Sequence, residues 1–174
     1  MNASTVCRVF ESCFVPDYNI RLCGGADEPL YEPVTDSHPA VIWFRDDYAA
    51  SALHEVAHWC IAGTRRRQLT DYGYWYTAER SPADQRQFER VEARPQALEW
   101  IFCQAAAIPF RVSCDNFDPD ALQLDDFRQA VRQAALGWLS QGLPRRAARF
   151  ASRLSEVSSA SDPLQPALYE ELPQ

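Results

Sequence analysis

His54-Glu55-Val56-Ala57-His58 uses two of the three histidines in a chain of 174 residues. On an α-helix, positions i and i+4 leave from one face, so both imidazoles can reach a single metal ion with Glu55 beside them. Metal catalysis needs neutral nitrogen donors at a fixed separation and an acid or base near an open coordination position. The surrounding residues predict the helix. Asp46 and Asp47 offer N-cap oxygens, and Gly63 stands where a C′ glycine would end the run. Between Tyr48 and Ala62 the only formally charged side chain is Glu55. Ala49, Leu53, Val56 and Cys60 form one apolar stripe, and the two histidines lie nearly opposite it among Ala57, Ile61 and Ala62. A helix with no solvated face is a central one, so the histidines are expected to point into an enclosed cleft.

The rest of the chain bounds what this helix can serve. At this length a single domain with a substantial core is expected over 1–160, followed by a loosely ordered, acidic, proline-punctuated tail over 161–174. A net charge of −7 and a pI near 4.9 argue against direct binding to nucleic acid or to an anionic membrane. All 17 basic residues are arginine, which excludes a lysine nucleophile or Schiff base. The N-terminus has no signal-like pattern and no run approaches membrane-spanning length, so a cytoplasmic address is expected. The six cysteines are scattered without a CxxC pair and read as reduced thiols.

Local patterns predict an α+β fold: a helix-rich domain with a small sheet against a helical layer and the metal-binding helix between them. Ser4 can cap a first helix carrying Val6, Phe10, Cys13 and Phe14, ending before Pro16. Residues 19–33 are turn-rich around Gly24-Gly25, and 40–44 form a buried strand leading into the metal helix. The aromatic run Asp71-Tyr72-Gly73-Tyr74-Trp75-Tyr76 reads as extended. Long helices are expected over 82–107, 125–141 and 145–157.

Two histidines need a third donor. His38, before Pro39, sits in a loop with exposed surroundings. In the second helical region Phe88, Val91, Pro95, Leu98 and Phe102 mark an apolar stripe; Glu92 and Glu99 lie at its edge, with Glu89 turned further out. An acid at a core boundary needs a partner or a metal. Pro95 predicts a kink or break just after Glu92 that would aim this side chain apart from its neighbours, with Gln96 as a hydrogen-bonding support to the ligands. Pattern favours Glu92 over Glu99 modestly, and pairing of Glu92 with an arginine is the competing reading.

The chain resembles the bacterial elongation factor P hydroxylase family. The resemblance is carried by Ala49, Ser51-Ala52 and the segment from His54 to Gly63. It continues through Asp71-Tyr72-Gly73-Tyr74-Trp75-Tyr76, Gln87-Phe88-Glu89, Val91-Glu92, Pro95-Gln96-Ala97-Leu98 and Ser113-Cys114-Asp115-Asn116. Asp27-Glu28-Pro29 with Tyr31 and the stretch 142–150 match as well. It implies an enzyme that hydroxylates the modified lysine of elongation factor P after a β-lysyl group has been attached. It also implies a two-histidine, one-carboxylate centre on His54, His58 and Glu92. With that ligand set, iron(II) and dioxygen are the expected cofactor and co-substrate. 2-Oxoglutarate is not implied, because the helix-rich pattern does not look like the all-β barrel of common iron oxygenases.

Glu55 is then a proton relay or an outer support to the metal. In a zinc hydrolase, protease- or nuclease-like, it would be the general base. A non-enzymatic module with a structural metal is the third reading, although Cys60 is rotated too far from His58 to close such a site. A long cationic β-lysyl-lysine calls for acids and aromatic faces. Asp71, Tyr72, Tyr74, Trp75, Asp115 and Asn116 are the candidates. Arg65-Arg66-Arg67 reads as a solvated helix exit, or as a steering patch for an acidic partner protein.

Overall fold

The computed structural model describes residues 1–73, 82–113 and 121–171, with backbone only for 82–90 and 121–123. The expected α+β architecture is present: five α-helices and a three-stranded sheet among these residues. Helix α1 (Ala3–Phe14) is capped by Asn2, whose side chain accepts from the Thr5 N–H; Ser4, the expected cap, instead donates its hydroxyl to Asn2. Both residue types serve at this position, and the one two residues earlier lies at the right phase for the buried face of Val6, Val9, Phe10, Cys13 and Phe14.

Strands β1 (Ile20–Ala26), β2 (Leu30–Glu32) and β3 (Ala40–Arg45) assemble in the order β1-β3-β2. β3 is central, parallel to β1 (Ile20 opposite Ala40) and antiparallel to β2 (Tyr31 opposite Ile42). Ala40, Ile42 and Phe44 alternate inward along it. The register with β1 slips between Cys23 and Ala26. Gly24 and Gly25 make that bulge possible. A Cβ on Gly24 would stand 2.7 Å from the Asp46 carbonyl, and Gly25 has φ 88°.

β3 feeds α2 (Ala49–Ile61), the helix carrying both histidines. Neither Asp46 nor Asp47 caps it: the N-cap is Tyr48, with no side-chain hydrogen bond. Asp46 has φ 46° and forms part of the tight exit from β3, which directs the chain into the helix by geometry rather than by capping. At the other end Gly63 is not in a left-handed cap. The last carbonyls of α2 are taken instead by Arg146, whose guanidinium donates to Trp59, Cys60 and Ala62 at 3.0, 3.1 and 2.7 Å. Two short 3-10 turns, Arg66–Gln68 and Thr70–Gly73, follow.

Helix α3 (Pro82–Ala106) runs on through Pro95 without the expected break. The proline removes one bond, to the Val91 carbonyl, and Val91 lies at the protein surface, where water can take its place. Helices α4 (Ala121–Gln141) and α5 (Arg145–Ser158) complete the layer, with Gly142 at φ 87° between them. α2 is in contact with β3 on one side and with α1, α3 and α5 on the others, the central position its lack of a charged face required. Phe10, Phe14, Trp59 and Phe150 pack edge-on around one end of α2.

The segment after α5 is pinned to the helical layer at Tyr169, while most of its other described residues are exposed. Tyr169 is fully buried, its ring edge-on to Trp100 at 4.7 Å, its hydroxyl donating to the Pro163 carbonyl and its own carbonyl accepting from Arg132. One aromatic anchor thus holds a stretch whose acids and prolines alone would leave it loose.

Candidate metal centre

α2 and α3 pack face to face, and the contact brings three of the expected residues to one point. His54 Nε2 and His58 Nε2 are 3.0 Å apart. Glu92 Oε2 lies 3.3 Å from His58 Nε2 and 3.6 Å from His54 Nε2. Among the described residues these three form the group able to hold a metal ion. Donors that share one ion at about 2.1 Å, with angles between tetrahedral and octahedral, stand about 3.0–3.4 Å from each other. The observed triangle is small enough for one ion to reach all three corners. The residues fit a mononuclear two-histidine, one-carboxylate centre. Cys60 does not join it; burial pushes its thiol far above the usual range and keeps it protonated.

A fourth residue orients the set. Glu99 Oε2 accepts from His54 Nδ1 at 2.8 Å. Seven residues after Glu92, it lies two turns along the same face of α3 and reaches the far edge of the His54 ring. With Nδ1 committed as donor to Glu99, Nε2 is the nitrogen left to exchange its proton for a metal, and it points toward Glu92 and His58. Sequence reading had left Glu99 as a weaker competitor for metal ligation. The signal it did carry was its place at the edge of the α3 stripe.

Electrostatics favour a cation here. Glu92 and Glu99 are 4% and 6% exposed, and Glu55 is half-buried beside them. Burial by itself would lower the proton affinity of His54, but the Glu99 hydrogen bond and the charges of Glu99, Glu55 and Glu92 push it up to about 10. Burial raises the Glu55 carboxyl group, opposed by the two imidazoles. Three carboxylates beside two imidazoles in a secluded space favour positive charge, which a divalent metal would supply.

A cleft of about 790 Å³ opens against His58, walled by Ile61, Tyr72, Val91 and Pro95. Tyr72 belongs to no extended segment. Asp71 (φ 45°, ψ 34°) and Tyr72 (φ 57°, ψ 18°) are left-handed, followed by Gly73 at φ 74°. Asp71 Oδ1 accepts from the Tyr31 N–H at 2.8 Å, which ties the turn to β2 and overrides the β propensity of its aromatics. Tyr72 stacks on Tyr31 at 4.3 Å and lies nearly parallel to His58, 6.4 Å between centroids. Its hydroxyl is buried and has no hydrogen-bond partner among the described residues.

The other expected site residues divide. Gln96 does not touch a ligand among the described contacts. Its amide grips Ser113 from both sides, donating to the carbonyl at 2.6 Å and accepting from the N–H at 3.0 Å. Tyr74, Trp75, Asp115 and Asn116 lie outside the described residues. Of the arginine run, Arg65 and Arg66 are exposed, whereas Arg67 folds back to donate to the Ala62 carbonyl. His38 is exposed, its Nδ1 2.9 Å from the Pro39 carbonyl and remote from the centre.

A helix-borne two-histidine, one-carboxylate set with an orienting second carboxylate defines a candidate mononuclear metalloenzyme. Comparison with known proteins narrows this class. The sequence model of the elongation factor P hydroxylase family, EpmC, matches residues 9–168. The elongation factor P lysine hydroxylase of Haemophilus influenzae is 42% identical over 164 residues, 93% of this chain and 92% of that protein. The chain belongs to the elongation factor P hydroxylase family, whose members are enzymes of the oxidoreductase class. No described helix is long and apolar enough to cross a membrane.

Proposed function

We propose that this chain hydroxylates the β-lysylated lysine of elongation factor P, using iron(II) held by His54, His58 and Glu92 and dioxygen as co-substrate. The observation that carries the reading is the convergence of those three donor atoms within 3.6 Å in a chain so similar to a named lysine hydroxylase. In the reaction a C–H bond becomes C–O–H. One oxygen atom of O2 enters the product, and the other leaves as water with two protons and two electrons from an external reductant. Bound iron(II) supplies the activation of dioxygen that no side chain can perform.

The protein's own groups bind, orient and move protons. Glu99 fixes the His54 ring. Glu55, held toward its protonated form by burial, delivers and recovers protons beside the centre. Tyr72 forms the cleft wall next to His58 and offers its ring to an incoming cation. Asp71 sets Tyr72 in place through Tyr31. Gln96, by gripping Ser113, fixes the start of the segment bearing Asp115 and Asn116, which with Tyr74 and Trp75 complete the proposed substrate surface. With a translation factor as substrate, the enzyme works in the cytoplasm.

The test is the intact mass of β-lysylated elongation factor P after aerobic incubation with iron-loaded enzyme and a reductant, alongside His54→Ala. A gain of one oxygen atom with wild type alone is the expected result. No gain from enzyme of confirmed iron content, across reductants, would refute it. Cleavage of the substrate by the zinc form would favour a hydrolase.

A further inference from the structure

The cleft against His58 carries the wrong charge for its cargo. Arg65 caps and Arg66 opens the first 3-10 turn, and Arg94 lies on α3; these three arginines from two elements line one opening, together with Thr64. All three are exposed. The protein as a whole is acidic, at −7, so this basic rim is a local feature and not the average of the surface. His58 is the residue of the metal centre that lines this cleft, and the acids of the centre, Glu92 at 3.3 Å from His58 with Glu55 and Glu99 beyond, stand behind it.

A β-lysyl-lysine side chain is cationic. It is attracted by the inner carboxylates and repelled by the rim. Exposed charges at the mouth of a site act chiefly on encounter and on the rejection of wrong partners. What an arginine rim recognises is therefore an anion beside the reacting side chain, not the side chain itself.

We propose that Arg65, Arg66 and Arg94 dock an acidic surface of the protein substrate flanking the modified lysine, and that the rim excludes cationic side chains not presented on such a surface. This rests on the protein-lysine hydroxylase reading above. It assigns the arginine rim of the cleft and the acids behind its His58 wall to two tasks. The arginines select the carrier protein, and the carboxylates receive its lysine. A site with acids alone would draw in any lysine-rich peptide or free polyamine; one with an arginine rim admits a cation only when a neighbouring anion offsets the repulsion.

The experiment compares wild type with the charge-reversed double variant Arg65→Glu/Arg66→Glu. Affinity for intact β-lysylated elongation factor P is measured by titration at low and at physiological salt. KM is measured for that protein and for a short synthetic peptide bearing the same modified lysine and no acidic residues. Metal content and melting temperature of the variant confirm an intact centre. The expected result is a rise of at least about tenfold in Kd and KM for the protein, a loss of most of the salt dependence, and a lower KM for the peptide. A general structural lesion would weaken both substrates together. Unchanged affinity for the protein, or salt-independent binding by wild type, overturns the docking role. Wild type that binds the protein in a salt-dependent way yet oxidises nothing would sink the hydroxylase reading and leave the docking surface standing.

Discussion

Glu99 Oε2 accepts from His54 Nδ1 at 2.8 Å while Glu92, two turns earlier on the same helix, closes on His54 Nε2 from the other side. One face of α3 thus supplies both a candidate metal donor and the group that aims another. The consequence is a rigid imidazole: its ring plane is set and Nδ1 keeps its proton, so Nε2 is the nitrogen that an ion would deprotonate and bind, which lowers the reorganisation that binding requires.

Loss of Glu99 should therefore weaken metal binding without removing a ligand. Glu99→Ala is expected to lower iron(II) affinity about 10–100-fold, the usual range for an outer hydrogen-bonding partner of a ligating histidine. Glu99→Gln keeps an acceptor for Nδ1–H and should fall between the two. Anaerobic metal titration reads this directly. Equal affinity in all three proteins would remove Glu99 from the centre.

Glu92 should behave differently. Glu92→Ala deletes a donor, so iron affinity should drop beyond the range for Glu99 and hydroxylation should disappear. It also removes one of three acids packed on each other, so the metal-free protein should melt no lower than wild type. A rise of about 2–4 °C is expected for each kcal/mol of repulsion relieved in a chain of this size. Calorimetry of both metal-free proteins checks it. A fall of many degrees would make Glu92 a structural residue.

The pattern of what the sequence revealed follows from the range over which each signal acts. His54 and His58 were legible because a 3.6-residue period is local, and so was the buried β3 that alternates Ala40, Ile42 and Phe44. Glu99 was ambiguous because its role depends on how α3 is rotated against α2, a long-range fact. The left-handed turn at Asp71 was hidden by aromatic neighbours of high strand propensity; what decides it is a hydrogen bond to Tyr31, forty residues away. Arg146 gave no signal at all. Its three acceptors lie on α2, some 85 positions back in the chain, and nothing in the pattern around residue 146 marks it apart from the neighbouring arginines.

Asp71→Ala should uncouple Tyr72 from the cleft. The substitution strands the Tyr31 N–H and puts an alanine at φ 45°, where aspartate is better tolerated. A destabilisation of about 1–3 kcal/mol is expected, together with a raised KM for the modified protein and an unaltered iron content. Asp71→Asn, which retains an acceptor oxygen and tolerates the same backbone, should restore most of both. If Asn and Ala are equally impaired, the carboxylate acts by charge and not by holding the turn.

Arg146 is the remaining lever on the metal helix. A helix end carries partial negative charge on its free carbonyls, and here one half-buried guanidinium meets three of them while lying 4.8 Å over the Trp59 ring. Arg146→Met keeps much of the volume but leaves the carbonyls of the last turn, the turn that begins at His58, with fewer donors. Denaturant unfolding should show a loss of about 2–4 kcal/mol, and Arg146→Lys, with three donors but no planar fork, should recover only part of it. Iron affinity should weaken in the same order, because the ring of His58 is positioned by the turn that frays. Arg149→Met, which removes a surface ion pair with Asp17, is the comparison and should leave both readouts as in wild type. Arg146→Met with wild-type stability and wild-type iron affinity would show that α2 needs no such clamp and that its packing against α1, α3 and β3 suffices.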